Sequence, residues 1–593
     1  MHLTFTWPNI PDFPLRENFF LGAWHPTQVL NVDYNTPPST IQPAVLKATN
    51  WFLMSNTSLM HPKNPGLLHV ENQTLEAPSL AVAFRGYLVE PPIHSYSPTD
   101  NILRYWKTST ILSQHNGVFS AACIRDSGKV LELVCDAFGM APLYYRALDD
   151  AIVFATNPRY LTACNDKTDY MAWRCLIQCG FLTTDRSLSE PIKRVPAGHL
   201  FQKKGTAKWR SEPWFDFKQL PLGTQKIDEH AVSQIERVFQ DSLSRCLSLD
   251  IQPSFLPLSS GNDSRRILAG LFDRHVPFQA ATVRIFQKGY RDLDAHFSSI
   301  MAQELGFSHR IIELGKPFNY AYDDYQKRLV LDSESSPITH TWAVALMRAL
   351  PEYPTLFFDG LAGDVLGNSP GILQTFPELD KITFVHQAIN SHYTKILASS
   401  VWPSLEHLRT EFHSYIDGLP QGLYQVTLAY LLLRTRRTIA PWAQQMLPAG
   451  HVVICPYLDL EYVRTIWKYQ PAEKCRFSLQ KACLAQYWPQ FASYPGTKNI
   501  PPGMPTGSPV YERERNLACF LKLYRELQKQ EGIVRIQSLL SRPAKLGFWF
   551  ALRNKRMALK TMWMFRKLME LVARDVEKIP CWEISQQHQE VVS

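Results

Sequence analysis

Six small polar residues, at positions 259–264, have the types and spacing of an anion-binding loop. They follow an apolar run at 253–258 that is typical of a buried strand, and they precede residues 266–272, whose apolar side chains fall on one helical face. A loop between a strand and a helix N-terminus presents free backbone N–H groups and the positive end of the helix dipole to a ligand. Gly261 lets the backbone approach that ligand, and Asp263 can hold a cation against bound phosphates. The alternative is an ordinary turn that is capped by an Asp or Ser side chain.

This loop resembles the Ser-Gly-Gly-x-Asp-Ser pyrophosphate loop of the asparagine synthetase superfamily, whose members cleave ATP between its α- and β-phosphates. In this chain Ser260 stands where the family has a glycine. The resemblance implies that the loop cradles pyrophosphate and that the neighbouring strands supply the adenine pocket. The residues assigned to nucleotide binding on this basis are Leu258, Ser259, Ser260, Gly261, Asn262, Asp263, Ser264, Val283 and Gly360.

A second acidic loop follows another apolar run, at 355–358. It reads Asp-Gly-Leu-Ala-Gly-Asp-Val-Leu-Gly at 359–367 and resembles the family's Ser-Gly-Glu-Gly-Ala-Asp-Glu-Leu segment. On that alignment Asp364 matches the aspartate that shares Mg²⁺ with the first loop, so the predicted metal ligands are Asp263 and Asp364. Two carboxylates at the ends of different strands are what a hard cation that bridges phosphates requires. The alternative is a capped, glycine-rich turn.

The second loop departs from the family pattern at two positions. Leu361 stands where asparagine synthetases have a glutamate and β-lactam synthetases a tyrosine implicated in handling the amine, and Val365 replaces a second glutamate. Leucine can do neither acid nor base work, so the resemblance does not specify the amine half of the reaction. Asp359 lies nearby in the sequence and is a candidate to compensate.

Lys498, in a loop rich in glycine and proline, is predicted to be catalytic. The residues before it, 478–488, match the family's helix that precedes a conspicuous lysine. An ammonium group there would offset the charge that develops as pyrophosphate leaves. The alternative is a solvated surface lysine. The catalytic residues predicted from the sequence are thus Lys498, Asp263 and Asp364.

The N-terminal part of the chain is strand-rich and resembles the glutaminase domain of asparagine synthetases. The matching segments are 116–121, 136–145, 154–157 and 192–199. That glutaminase needs a cysteine directly after the initiator methionine, because its thiolate attacks glutamine. His2 occupies that position here, which implies a domain that keeps the fold and has lost the reaction. Recruitment of Cys123 or Cys135 is the alternative, although cysteines in apolar strand patterns are usually core residues.

Strand and helix patterns alternate after the first loop, with strands at 280–285 and 310–314 and a helix at 292–305. Such repeats favour a parallel, doubly wound sheet, on which ligands bind at the carboxyl ends of the strands. With the resemblance, the predicted fold class is α/β: an N-terminal degenerate Ntn-hydrolase-type α+β sandwich, then a doubly wound, parallel-sheet ATP-pyrophosphatase (PP-loop) domain with a helical C-terminal part. The predicted boundaries are 1–205 for the degenerate glutamine-amidotransferase-like domain, 206–225 for a linker and 226–593 for the asparagine-synthetase-like domain.

Composition places the chain among ordinary globular proteins, since its 593 residues are 45% hydrophobic and 19% charged. A formal net charge of +9 is modest for this length and favours an anionic small ligand over nucleic acid. The N-terminus lacks the pattern of a signal peptide, and no apolar run is long enough to predict a membrane span. The eleven cysteines are scattered without a CxxC pair, so reduced thiols and a cytoplasmic location are expected.

The basic, amphipathic tail at 553–578 is predicted to pack against the domain, and the alternative is a membrane-surface or partner-binding helix.

The resemblance implies an ATP-dependent, AMP-forming carbon–nitrogen ligase. With ATP and Mg²⁺ it would adenylate a small-molecule or peptide carboxylate, release pyrophosphate, and join the acyl group to an amine that does not come from glutamine. The leading specific hypothesis is a lasso-peptide macrolactam cyclase, with a precursor peptide and a processing protease as partners. The alternatives are an asparagine-type synthetase fed by free ammonia and a catalytically inactive nucleotide-binding scaffold, which Leu361 and Val365 favour.

Purified protein is expected to release no glutamate from glutamine, with or without ATP, because the family's nucleophilic cysteine is replaced by His2. A coupled glutamate assay measures this directly. Steady hydrolysis that disappears in a Cys123→Ala or Cys135→Ala variant would show that the nucleophile has moved to one of these thiols.

Overall fold

The structure is a computed structural model of the chain. It describes residues 1–5, 19–34, 44–55, 67–70, 80–89, 116–163, 166–249, 251–284, 292–313, 334, 345–347, 349–351, 353–367, 381–389, 397–447, 450–477, 479–496, 521, 525, 532–542, 544–545 and 568. Lys498 and all of the basic tail at 553–578 except Leu568 lie outside these residues, so the roles assigned to them stay sequence predictions.

Two antiparallel six-stranded sheets and a parallel pair of short strands build the N-terminal half. Its strands are β1 (His2–Phe5), β2 (Phe20–Trp24), β3 (Asn31–Tyr34), β4 (Ala44–Ala48), β5 (Trp51–Ser55), β6 (Leu67–Val70), β7 (Leu80–Val89), β8 (Asn116–Arg125), β9 (Val130–Cys135), β10 (Tyr144–Leu148), β11 (Ala151–Ala155), β12 (Ile192–Arg194), β13 (His199–Lys204) and β14 (Arg210–Pro213). Two six-stranded sheets have the orders β12-β10-β11-β2-β5-β4 and β14-β13-β9-β8-β7-β6, and β1 pairs with β3. One buried cluster holds side chains of both large sheets, among them Trp24, Trp51 and Leu133, so the sheets pack face to face.

The last strand of this sandwich lies inside the segment that the sequence suggested as a linker. β14 pairs with β13 in register from His199–Pro213 to Gln202–Arg210. The sheet therefore continues past residue 205, the predicted end of the first domain, and Trp214 extends this attachment by donating its indole N–H to the carbonyl of Cys135 at 3.0 Å.

A five-stranded parallel sheet organises the C-terminal half. Its strands are β15 (Ser254–Pro257), β16 (Phe278–Arg284), β17 (His309–Glu313), β18 (Leu356–Phe358) and β19 (Val452–Ile454). Their order is β17-β16-β15-β18-β19, and every pair is parallel. The chain thus proceeds from β15 to one edge of the sheet and then returns to β18 on the other side of β15. Such a reversal opens a crevice at the carboxyl ends of the two central strands, which is where ligands bind on parallel sheets. The predicted parallel sheet is confirmed.

Helices form most of the described C-terminal residues, where they surround this sheet, and one further helix, at 170–179, belongs to the N-terminal half. They are α1 (Tyr170–Cys179), α2 (Glu229–Leu247), α3 (Asn262–Asp273), α4 (Leu293–Leu305), α5 (Gly363–Gly367), α6 (Lys381–Ala388), α7 (Leu405–Asp417), α8 (Gln425–Tyr430), α9 (Ala440–Met446), α10 (Leu460–Trp467), α11 (Pro471–Phe477), α12 (Leu479–Tyr487), α13 (Pro489–Ala492) and α14 (Gly532–Leu539). A π-helical segment, Leu431–Ile439, joins α8 to α9.

A fully buried guanidinium anchors α3, the helix that follows the first loop. Arg266 donates to the carboxylate of Glu236 on α2 at 2.8 Å and to the side-chain carbonyl of Gln480 on α12 at 2.6 Å. Its guanidinium also lies 4.0 Å from the ring centroid of Phe239, a cation–π contact. Since three helices converge on this one side chain, the orientation of α3 depends on it.

The sandwich contacts the parallel sheet directly at the end of β19. The hydroxyl of Tyr87, on β7, accepts the N–H of Cys455 at 3.1 Å and donates to the same residue's carbonyl at 3.4 Å. Nearby, the side-chain carbonyl of Asn116 accepts the N–H of Leu460 at 2.7 Å. These bonds join the end of β7 and the start of β8, which pair with each other, to the segment that leaves the parallel sheet.

A second contact between the halves is made by the π-helical segment. Arg436 donates to the carbonyl of Val195 at 2.8 Å and to the carboxylate of Asp185 at 3.1 Å. Gly139 has φ +62°, and a Cβ atom there would lie 2.7 Å from Nε of Arg436. The turn therefore needs glycine both for its backbone conformation and for the close approach of the guanidinium.

Arg266→Ala is expected to lower the free energy of unfolding by roughly 3–5 kcal/mol, because it leaves the buried carboxylate of Glu236 without its cation. The matched control is Arg464→Ala, which breaks an exposed pair with Glu461 and should cost at most about 1 kcal/mol. Urea unfolding followed by tryptophan fluorescence measures both. Equal losses in the two variants would contradict the anchoring role of Arg266.

Candidate functional site

The first loop leads from β15 into α3 at the point where the strand order reverses. α3 begins at Asn262, and its N-cap, Gly261, makes no side-chain capping bond. The first N–H groups of a helix have no partners within the helix. An uncapped start that opens on the crevice is therefore suited to an anion. Of the predicted loop residues, Asn262, Asp263 and Ser264 form the first turn of this helix.

The loop before α3 is held in shape by its own hydroxyl groups. The Ser264 hydroxyl accepts the N–H of Ser259 at 3.2 Å and lies 3.0 Å from the Ser259 hydroxyl. That second hydroxyl in turn accepts the N–H of Gly261 at 3.2 Å. These bonds fix the curvature of the loop, and they leave the N-terminal turn of α3 as the part best placed to meet a ligand.

Ser260, which replaces a family glycine, is held by an acidic side chain. Its N–H and its hydroxyl both donate to Oδ1 of Asp294, at 2.8 and 2.6 Å. Asp294 belongs to the first turn of α4. The loop therefore accommodates a serine because a carboxylate satisfies it, and the N–H that the glycine would offer to phosphate is already engaged. This places a negative charge beside the predicted pyrophosphate site.

The backbone carbonyl of Ser260 is held by Arg265. This buried guanidinium donates to the carbonyl of Ser260 at 2.6 Å and to those of Tyr494 and Pro495 at 2.8 and 3.0 Å. Burial lowers the pKa of Arg265 to about 10, so the group stays charged at neutral pH. A Cβ atom at Gly496 would lie 2.9 Å from the carbonyl oxygen of Ser260. The chain segment that leads towards Lys498 is thus bound directly to the loop.

The second acidic loop lies against the first. A Cβ atom at Gly363 would be 2.8 Å from the carboxyl carbon of Asp263, and one at Gly360 would be 3.5 Å from its Cβ. Gln480 supports this approach from behind, because its amide N–H donates to the carbonyl of Gly363 at 3.0 Å. Asp364 follows directly and is exposed at the start of α5. The structure therefore brings the loops of the two predicted metal ligands together.

The predicted adenine side of the crevice is more constrained than the sequence suggested. The N–H of Leu258 donates to the carbonyl of Ala281 at 2.8 Å, and its carbonyl accepts the hydroxyl of Thr282 at 2.7 Å. That hydroxyl also lies 2.9 Å from the ring of His309, whose pKa burial lowers to about 4. Val283 is half-buried on β16. A base bound here would meet the side chains of this strand end, since both backbone groups of Leu258 are engaged.

The two cysteines weighed as alternative nucleophiles are buried in the sandwich. Burial raises the pKa of the Cys123 thiol well above its ordinary value and that of the Cys135 thiol to about 12. Neither thiol is ionised at neutral pH, which a nucleophilic cysteine requires. His2, at the position where the family has its cysteine, lies on β1 with its Nε2 atom 3.0 Å from the carboxylate of Asp33.

Three residues of the site were not found by sequence reasoning. Asp294, Arg265 and Gln480 hold the loops by contacts between residues far apart in the chain. The replacement of a glycine by Ser260 was a usable signal for a residue such as Asp294, because an added hydroxyl in a tight loop needs a hydrogen-bond partner. Within the described ranges, no group of three or more His, Cys, Asp or Glu side chains could hold a metal ion. None of the helices in that part of the chain has the length and apolar character of a membrane span.

Comparison with known proteins finds a family match in the N-terminal part of the chain and one relative among curated proteins. Residues 89–215 match a family described as glutamine amidotransferase domain. Over 184 residues the chain is 25% identical to asparagine synthetase [glutamine-hydrolyzing] 1 of Bacillus subtilis (strain 168). Both matches support the predicted resemblance to the asparagine synthetase superfamily. This alignment covers 31% of the chain and 29% of the length of that synthetase, so the chain spans less than a third of this superfamily member.

Two solved structures match parts of this chain at low similarity. One is titled structure of the allosteric regulatory enzyme of purine biosynthesis; it is 12% identical with a TM-score of 0.22, over 51% of this chain and 76% of that one. The other is glutamine phosphoribosylpyrophosphate amidotransferase from B. subtilis complexed with ADP and GMP, also 12% identical with a TM-score of 0.22, over 56% and 94%. The description of the fold therefore rests on the sheets themselves.

Asp294→Asn is expected to tighten the binding of inorganic pyrophosphate by roughly three- to tenfold, because the variant keeps an acceptor for Ser260 and removes a charge worth about 1 kcal/mol against a nearby anion. Calorimetric titration measures the dissociation constant. The control is Asp273→Asn at the opposite end of α3, about 18 Å away along a helix of this length, which should leave binding unchanged. Weaker binding in the Asp294 variant would show that the carboxylate supports the site.

Proposed function

We propose that this protein is an ATP-dependent ligase that adenylates a carboxylate, releases pyrophosphate and transfers the acyl group to an amine. One observation carries the proposal: the uncapped start of α3 and the second acidic loop lie together where the strand order of the sheet reverses. An anion of the size of pyrophosphate would meet the helix N-terminus there, with Asp263 and Asp364 available on the two loops. The relationship to a named asparagine synthetase supports the same chemistry.

The residues present fit a magnesium ion that is held mainly by the nucleotide. Mg²⁺ is usually bound by one or two carboxylates together with substrate phosphates and water. Asp263 and Asp364 provide two carboxylates on adjacent loops, and the described residues offer no larger cage. When bound, the ion would neutralise charge on the phosphates as pyrophosphate departs. Lys498 would contribute to the same end, as the sequence predicts.

The chain's own residues would orient the nucleotide and keep water out. The N-terminal turn of α3 would bind the phosphates through backbone N–H groups, and the Asp294–Ser260–Arg265 contacts would keep the loop in place during the reaction. Preorganised donors of this kind cost no rearrangement when charge develops. The side chains near Leu258 and Val283 would contact the base.

The amine in this proposal does not come from glutamine hydrolysed by the sandwich. The thiols of Cys123 and Cys135 in the sandwich are buried and protonated at neutral pH. The finer hypotheses differ in the amine: a macrolactam cyclase of the lasso-peptide type would use an amine of its precursor peptide, which a protease supplies, whereas an asparagine-type synthetase would use free ammonia. An inactive scaffold would bind the nucleotide without any exchange.

ATP–pyrophosphate exchange tests the proposal, with L-aspartate and a synthetic precursor peptide as the carboxylates. Asp263→Asn and Asp364→Asn should each reduce exchange by roughly 100-fold or more, because each removes charge stabilisation worth several kcal/mol. The double variant should lose little more, since residues that act on one ion are not additive. Asp273→Asn serves as the control.

Two results would overturn this function. The first is exchange at a near-normal rate in Asp364→Asn, which would show that Asp263 and Asp364 do not share a metal ion. The second is the absence of exchange in the unaltered protein with both carboxylates, in which case the scaffold becomes the better account. Subsequent addition of ammonium or of the peptide's own amine separates the two finer hypotheses by the product formed.

A further inference from the structure

We propose that Asp359 is the catalytic residue that accepts the proton from the attacking amine. The inference rests on the proposed function and names the group that takes over where Leu361 cannot act. Asp359 is the first residue after β18, and its N–H donates to the carbonyl of Ile454 on β19 at 2.8 Å. It therefore occupies the carboxyl end of a central strand, at the edge of the sheet where the crevice opens.

The carboxyl group of Asp359 lies close to the thiol of Cys455, because, after burial, its charge is one of the causes that raise the pKa of that thiol. Cys455 directly follows β19, and its thiol also bonds to the side chain of Gln444 on α9. The carboxyl group therefore lies near α9 and beside the contact between the two halves of the chain.

Asp359 lies between the nucleotide site and that contact. On one side, the adjacent Gly360 approaches Asp263 so closely that a Cβ atom would be 3.5 Å from the Cβ of Asp263. On the other side is Cys455, whose backbone is bonded to the hydroxyl of Tyr87. An acyl adenylate and an incoming amine would meet between these two points, beside the carboxylate of Asp359.

The carboxyl group itself is poised to take up a proton. Asp359 as a residue is half-buried, but its Oδ2 atom is buried and has no hydrogen-bond partner among the described residues. The backbone N–H of Leu361 bonds to the carboxylate, and burial raises the pKa of Asp359 to about 7. General bases are most effective when their pKa lies near the working pH.

The surrounding groups do not offer a competing base in the described part of the chain. Asp263 and Asp364 are assigned to the ion, Asp294 is bonded to Ser260, and Leu361 is apolar. The titratable groups that face this region are Asp263 from the first loop, Cys455 directly after β19, and Tyr87, Asp136 and Cys246 around Cys455. The carboxylate of Asp136 is already engaged, because it accepts three backbone N–H groups of residues 138–141. Burial raises the pKa values of the Cys455 and Tyr87 side chains well above their ordinary range, so both stay protonated at neutral pH.

The proposed step balances without a further reactant. The lone pair of the neutral amine forms the C–N bond at the acyl carbon, and the bond between that carbon and the phosphate oxygen breaks with its electron pair going to AMP. The nitrogen loses one proton, which passes to the carboxylate of Asp359. The products are the amide, AMP and the protonated side chain, which later returns the proton to solvent.

The two half-reactions of the full-length protein test this role separately. Asp359→Asn should reduce amide formation, measured with ammonium or the precursor peptide's amine, by roughly 10²-fold or more. ATP–pyrophosphate exchange should stay within about twofold, because the base acts only after adenylation. Asp359→Ser, which restores the residue found in the family loop, should behave in the same way and serves if the Asn variant fails to fold. Glu212→Gln, on exposed β14, is the matched control.

The pH dependence distinguishes a base from a structural residue. The ratio of the amide-forming rates of the unaltered protein and Asp359→Asn cancels the ionisation of the amine itself. It should rise as pH increases through about 7, where Asp359 loses its proton, and then level off. An equal fall in exchange and amide formation, a flat ratio, or normal amide formation in the variant would overturn the inference. Absence of exchange in the unaltered protein would instead overturn the proposed function.

Discussion

The arrangement of the candidate site depends on the parallel pairing of β15 with β18. Only two residue pairs define this register, Ser254 with Leu356 and Phe255 with Phe357, and the stacked rings of the second pair hold it at 5.6 Å. Because both strands then end at the same level, the loops that follow them face each other across the strand-order reversal. The absence of a side chain at Gly363 allows the final approach, since any Cβ atom would lie within 3.0 Å of Asp263.

The helix that presents the first loop is restrained from two directions. At its start, Asp294 and Arg265 hold the two sides of the Ser260 peptide, while on its buried face Arg266 binds α2 and α12. Gln480 links the buried face of α3 to the second acidic loop, because it accepts from Arg266 and donates to Gly363. A shift of α3 would therefore be felt at the second acidic loop as well as the first. Such restraint suits a site that must present donors without rearrangement.

Much of this architecture could be predicted from local sequence, and the reasons are visible in the structure. The helix expected at 292–305 is present because Asp292 caps its start and Gly306 adopts φ +74° at its end. The strands of the parallel sheet follow their apolar runs. What local patterns could not reveal were contacts set by register and packing: the bond from Ser260 to Asp294, the burial of the Asp359 carboxyl, and the pairing of β14 with β13 within a polar, aromatic segment. The helical period also gave no sign that Leu431–Ile439 is π-helical, although the widened turns carry Arg436 into the sandwich.

The bond between Tyr87 and Cys455 joins residues that are 368 positions apart, and this separation orders events during synthesis. Domains generally fold from the N-terminus as the chain leaves the ribosome. The sandwich can form its sheets early, but the face that carries Tyr87 and Asn116 has no partner until Cys455 and Leu460 have been made. This face of the sandwich must therefore stay without its partner for most of translation. The contact that borders the crevice on the side of the sandwich can form only in the last stage of synthesis.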